Sequence, residues 1–158
     1  MMTETRTSQL EQAVNQTPDV VGNFKSGLGA IKGEYRCKII VPDTRNIQGS
    51  LDIDMSTSSL YPHDNRWDYA LEYDNETFFI EIHPGITSEI TVVLNKLAWL
   101  KQWLKDKAPR ISDTCSRSKP SFYWVYTSKF AILPNSTPWR KLAKNKLIPM
   151  KVWDYSKL

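Results

Sequence analysis

The chain has 158 residues, 41% of them apolar and 24% charged, a balance that fits one globular domain and excludes a disordered chain. No run approaches about 18 consecutive apolar residues, which excludes a membrane-spanning helix. The two cysteines, Cys37 and Cys115, exclude a disulfide-rich scaffold and a four-cysteine zinc site. Residues 1–6 lack the basic-then-apolar layout of a secretory leader, so the expected location is the cytoplasm. The 21 basic and 17 acidic residues leave a net charge of +4, unevenly spread. Residues 99–158 carry 13 Lys or Arg against three acids, a net of +10, and residues 1–98 a net of −6. That asymmetry predicts an anionic partner for the C-terminal part.

Ser8 and Glu11 form a Ser-x-x-Glu capping box, which predicts a helix from Gln9 that Pro18 interrupts. Val20, Val21, Phe24, Leu28 and Ile31 recur at helical spacing and predict a second helix, with Gly33 as its C-cap. Residues 35–41 and 47–55 read as strands, with Cys37 in the core of the first and Asp52 and Asp54 on one face of the second. Residues 67–73 and 77–83 alternate as two further strands, and Asp74-Asn75 between them suits a two-residue hairpin turn. Ser88 is placed to cap the longest helix, ending near Lys107, with a stripe of Ile90, Val93, Leu94, Leu97, Leu100, Trp103 and Leu104. Ala108-Pro109 stops it. A polar, basic loop over 111–120 contains Cys115 and leads to an aromatic strand over 121–127, which 130–133 continues or pairs with. A short basic helix over 139–147 and a strand over 150–155 close the chain. The expected organisation is a single domain over 1–158 with a basic, aromatic-rich extension from about 134.

The hairpin turn fixes a register. With Tyr73 opposite Glu76, Asp68 falls opposite Glu81 on one face, joined by Glu72, and His83 points the same way. The alternating Trp, Tyr, Leu, Phe and Ile side chains of the other face are expected against the core, leaving the carboxylate face free. Opposed carboxylates repel unless a positive group lies between them. A magnesium or manganese ion is one solution, because hard oxygen ligands suit both. An exposed sheet face on which Asp68 and Glu81 pair with Arg66 or other basic groups is the other. Asp52, Asp54 and Glu11 are further acids within possible reach, though Asp52 and Asp54 are better read as edge charges and Glu11 as part of the capping box. His63-Asp64 reads as a surface loop pair.

The segment from Trp67 to Tyr73, followed by Phe78-Phe79-Ile80-Glu81-Ile82-His83-Pro84, resembles the core of the PD-(D/E)XK nuclease superfamily. That family has an acid on one strand, acid-x-lysine at the end of the next, and then a helix. The resemblance covers roughly Gln9 to Leu133. It implies an α/β fold, a single-domain mixed sheet flanked by helices with a restriction-endonuclease-like αβββαβ core. It also implies Asp68 and Glu81 as metal ligands. His83 stands at the lysine position, and Trp67 rather than proline precedes Asp68.

The expected function is therefore that of a metal-dependent nuclease-like hydrolase acting on the phosphodiester backbone of DNA or RNA, with catalytic residues Asp68, Glu81 and His83. Its basic residues Arg117, Lys119, Lys129, Arg140, Lys141, Lys144 and Lys146 would hold the nucleic acid, interleaved with aromatic rings that stack on bases. The alternative is a catalytically inactive nuclease-fold module that binds nucleic acid or a protein partner, including a second copy of itself. The missing lysine favours that alternative. A hydrolase built on Cys115 with His63 or His83 has no support in spacing.

Overall fold

The computed structural model describes residues 7–158; the reading of residues 1–6 falls outside them. In chain order the elements are α1 (Gln9–Asn15), β1 (Lys25–Ser26), β2 (Ile39–Ile40), β3 (Ile47–Asp52), α2 (Ile53–Thr57), β4 (Tyr69–Tyr73) and β5 (Glu76–His83). They continue with α3 (Ile90–Asp106), α4 (Pro109–Ser112), β6 (Phe122–Tyr126), α5 (Thr137–Lys144), β7 (Leu147–Met150) and β8 (Trp153–Asp154). Six strands form one mixed sheet in the order β1-β3-β4-β5-β6-β7. The pairs from β1 to β5 are antiparallel, and β5, β6 and β7 run parallel. This is the expected α/β class, a mixed sheet flanked by helices, and β2 and β8 pair in parallel as a separate two-stranded sheet.

The hairpin between β4 and β5 has the predicted register, Tyr73 opposite Glu76 and Tyr69 opposite Ile80. Asp74 and Asn75 adopt φ of 48° and 65°, the left-handed pair that a two-residue turn needs to match strand twist. A bulge at Gln48 in β3 turns its side-chain amide onto Asn75, whose backbone N–H donates to Gln48 Oε1 at 2.8 Å. The next connection, from β5 to β6, carries α3 and α4 and is long enough for a parallel crossover.

Both faces of the sheet are covered, and this changes the meaning of the alternation. Leu71, Phe78, Ile80, Tyr123 and Val125 pack with Ile31, Ile39 and Trp153 on one side. On the other, Ala70, Phe79 and Trp124 pack under Leu10, Val14, Val93, Leu97, Leu100 and Trp103 from α1 and α3. The carboxylate face is therefore not free: Glu72 and Glu81 are fully buried beneath helices. Trp67 also departs from the simple alternation, joining the helix-side core rather than that of Tyr69. Central strands of a sheet layered on both sides bury both sets of side chains.

Several expectations fail for local reasons. The helix expected over 20–31 does not form. Gly22 and Gly27 hold φ of 80° and 55°, and the segment supplies the edge strand β1 instead. Phe24 is drawn over Gly49 of β3, where a Cβ would stand 1.9 Å from its ring. Gly33 opens a 3-10 helix rather than ending an α-helix, so the strand expected over 35–41 shrinks to β2 and Cys37 is exposed. β3 stops at Asp52, whose side chain accepts the Met55 N–H at 2.8 Å and starts α2. Asp54 therefore lies in that helix and not on a strand face. Ser88 lies inside a 3-10 turn over Thr87–Glu89 that leads into α3. Residues 130–133 form no strand, and the terminal strand is split into β7 and β8. Among the described residues, no helix is long and apolar enough to cross a membrane.

Candidate active site

Asp68 sits immediately before β4, where the backbone of the hairpin begins to part. Side chains then take over the ladder. The Asp68 N–H donates to Glu81 Oε1 at 3.1 Å, and the Ile82 N–H donates to Asp68 Oδ2 at 3.0 Å. The Asp68 carbonyl accepts the Ile53 N–H at 2.9 Å, tying the site to the start of α2. The two carboxylates that the sequence placed opposite each other are thus locked together by reciprocal backbone bonds.

The positive group between them is a lysine, and sequence reasoning did not find it. Lys96 of α3 donates from Nζ to Glu81 Oε2 at 2.6 Å and lies 3.8 Å from Asp68 Oδ1. Lys96 occurs three residues after Val93 and four before Leu100, so it flanks the buried stripe of α3 and points at the sheet. A lysine beside an apolar stripe was the available signal. Arg66, the partner expected from sequence, pairs with Asp54 at 2.9 Å.

Burial sets the electrostatics. The Glu81 side chain is 0% exposed, whereas those of Lys96 and Asp68 are 18% and 21% exposed. Burial, and then the charge of Asp68, push the Glu81 carboxyl well above its ordinary range, against the pull of Lys96. Burial alone would lower the Lys96 ammonium, but the attraction of Glu81 and Asp68 outweighs it and holds the lysine charged. Two carboxyl groups thus face one ammonium. Asp52 is also raised by burial, with Asp54 and Asp68 adding to it.

His83 is half-buried. Its Nε2 is 2.8 Å from Glu89 Oε2, and its Nδ1 is 4.0 Å from Glu81 Oε2. It is therefore held beside Glu81 by an acid at the entrance to α3. Glu72, on the same face, serves a different end. It accepts bonds from the Ser8 hydroxyl and from the Leu10 N–H at 3.1 Å, and so anchors the start of α1. Glu11 is exposed in that helix, where its N–H donates to Ser8 in the predicted cap. The Cys115 thiol is pushed up to about 11 by burial, which removes it as a nucleophile near neutral pH. Among the described residues, no group of three or more His, Cys, Asp or Glu side chains converges to hold a metal.

The basic residues named from sequence do not form one surface. Arg140, Lys141 and Lys144 are exposed on α5. Lys119 and Lys146 line a shared cavity before β6 and β7, and Arg117 lies in the loop that precedes Lys119. Lys129 lies beyond the opposite end of β6, the end where Asp68 and Glu81 are found. The interleaved aromatics divide as well. Tyr123, Trp124 and Trp153 are fully buried core residues, while Trp99, Tyr126, Trp139 and Tyr155 keep partial exposure.

No protein-family model, curated protein or solved structure matches the chain.

Proposed function

We propose that the chain is a metal-dependent nuclease-like hydrolase of the PD-(D/E)XK type, acting in the cytoplasm on the phosphodiester backbone of DNA or RNA. One observation carries this. A lysine delivered from α3 meets the second of the two hairpin carboxylates at 2.6 Å, supplying the residue type that position 83 lacks. The order α1, β3-β4-β5, α3, β6 supports the same reading.

The donor set fits a small, hard divalent ion. Asp68 commits one oxygen to the Ile82 N–H and keeps Oδ1 on a partly exposed side chain. Glu81 would add Oε2 only by releasing it from Lys96. Magnesium and manganese accept one or two carboxylates and complete their shells with water and substrate phosphate. Such an ion, when bound, acidifies its water and offsets charge on the phosphoryl oxygens. Lys96 opposes the protonation of Glu81 but does not outweigh burial and Asp68, so ion binding would have to displace a proton from Glu81. The Lys96 ammonium also stands ready for the charge that develops during attack on phosphorus. His83, held by Glu89 at 2.8 Å, completes the proposed site 4.0 Å from Glu81 Oε2.

One observation favours the second reading, a module that binds nucleic acid or a protein partner without turnover. Both Glu81 oxygens are already hydrogen-bonded, and the side chain has no exposed surface. The assay that separates the two follows single- and double-stranded DNA and RNA with Mg2+, Mn2+ or EDTA. Metal-dependent cleavage is expected, lost in Asp68→Asn and reduced about 10²–10³-fold in Lys96→Met. Cleavage that persists in EDTA, or in Asp68→Asn, overturns the assignment; binding without cleavage of any substrate selects the module.

A further inference from the structure

The cation-rich cavity at the carboxyl ends of the parallel strands joins Lys129 to two lysines not named so far. It measures about 470 Å3 and is bounded by Lys38, Lys129 and Lys151 with Tyr126, Thr127 and Phe130. The lysines come from three distant parts of the chain, so no single sequence segment announces the site. None of the lining residues is acidic.

We propose that this cavity binds a backbone phosphate of a single-stranded nucleic acid, with the Tyr126 and Phe130 rings carrying an adjacent base. Lys38 reaches in from the opposite side of the sheet and donates to the Tyr126 carbonyl at 3.4 Å. Lys151 directly follows β7 and Lys129 follows β6, so the strand ends themselves bring two ammonium groups to the rim. Tyr126 and Phe130 stack at 4.7 Å with 25° between their planes. Gly85 makes this stack possible, because a Cβ there would stand 2.9 Å from Tyr126 Cβ and 3.0 Å from Phe130. Ammonium groups hold phosphate irrespective of sequence, and aromatic faces stack on bases that are unpaired. The stacked rings select a single strand over a duplex.

The position completes the inference. His83 and Tyr126 are paired in register across β5 and β6, and Asp68 lies at the same end of the sheet, opposite Glu81. Ligands of open α/β sheets bind outside the carboxyl ends of parallel strands. A nucleic-acid strand seated on Lys38, Lys129 and Lys151 therefore lies at the end of the sheet that carries the carboxylate pair. This deepens the proposed nuclease reading and rests on it for the identity of the ligand.

The test measures anisotropy of a labelled single-stranded oligonucleotide with the full chain in EDTA, so that binding is read without turnover. A matched duplex and anionic phospholipid vesicles serve as the other two probes. Replacing Lys38, Lys129 and Lys151 together by alanine is expected to weaken oligonucleotide binding about tenfold or more and to lower the salt slope by roughly two to three. Arginine at the same positions should restore binding. Phe130→Leu, which retains apolar volume, should weaken the single strand while leaving duplex binding unchanged. Unchanged affinity in the triple alanine variant, tighter binding of the duplex, or binding to vesicles alone overturns the proposal. Cleavage by the unmodified chain is scored separately. Lysine-dependent binding without cleavage defeats the nuclease reading and leaves this site standing, whereas cleavage with lysine-independent binding does the reverse.

Discussion

At the residue scale, two buried glutamates on one sheet face have been given opposite kinds of partner. Glu81 has a cation, and Glu72 has neutral donors at the start of α1. Burial raises the Glu72 carboxyl above 4.5, with the Ser8 and Leu10 bonds only partly offsetting it. A raised folded-state pKa means that the stability contribution is full below the unfolded value and is lost as pH climbs through the folded one. Glu72→Gln should therefore flatten the fall in stability above about pH 4.5, measured by urea denaturation across pH. An equally steep profile in the variant would show that Glu72 is not the titrating group. Lys96 has the other consequence. Lys96→Met leaves Glu81 buried without its cation and should destabilise the chain in metal-free buffer, most at a pH high enough to ionise Glu81. Adding Glu81→Gln should recover part of that loss, because the uncompensated charge is then gone. A double variant no more stable than Lys96→Met would remove the ion pair as the cause.

At the element scale, the β4–β5 hairpin shows what could be read in advance. Alternation over 67–73 and 77–83 and the Asp74-Asn75 turn fix the register of each strand, and with it the meeting of Asp68 and Glu81. These are local relations, set by period and turn chemistry. The segment over 20–31 shows the opposite case. Its apolar spacing is helical, but Phe24 gains more by packing on a bare stretch of β3 than a glycine-broken helix would gain by forming. That contact joins residues far apart in sequence, so no periodicity encodes it. Lys96 was missed for the same reason: its position in α3 is legible, but the strand it faces is set by tertiary packing. Gly49→Ala tests the contact directly. Its methyl group would collide with the Phe24 ring, and the substitution should cost about 1–3 kcal/mol through displacement of that ring. Pairing it with Phe24→Ala should relieve the ring clash but leave that with the Lys25 carbonyl, 2.7 Å from the added Cβ. A chemical-denaturation series over the four proteins reads this, and additive losses would show that Phe24 and Gly49 do not press on each other.

At the scale of the whole molecule, the charge asymmetry visible in the sequence becomes a division between two ends of the sheet. Lys119 and Lys146 gather near the amino ends of β6 and β7, while Lys129, Lys151 and Lys38 gather near their carboxyl ends. Only the second group lies at the end of the sheet that carries the carboxylate pair, so net charge along the chain could not have singled it out. The same end carries two carboxyl groups that share Lys96. An ion that binds there and not to the unfolded chain stabilises the fold by mass action. At a free concentration of 100 times its dissociation constant the gain is about 2.7 kcal/mol. For a chain of 158 residues this corresponds to a rise of roughly 5–10 °C in Tm. Mg2+ or Mn2+ titrated against the metal-free chain in a thermal melt should therefore raise Tm in a saturable way, with Asp68→Asn abolishing the rise. Ca2+ at equal ionic strength controls for screening, since general screening would act alike with all three ions and survive the substitution. A melt that responds to none of them, while the fold is intact, would mean that Lys96 alone satisfies the carboxylate pair and that the end of the sheet serves binding rather than hydrolysis.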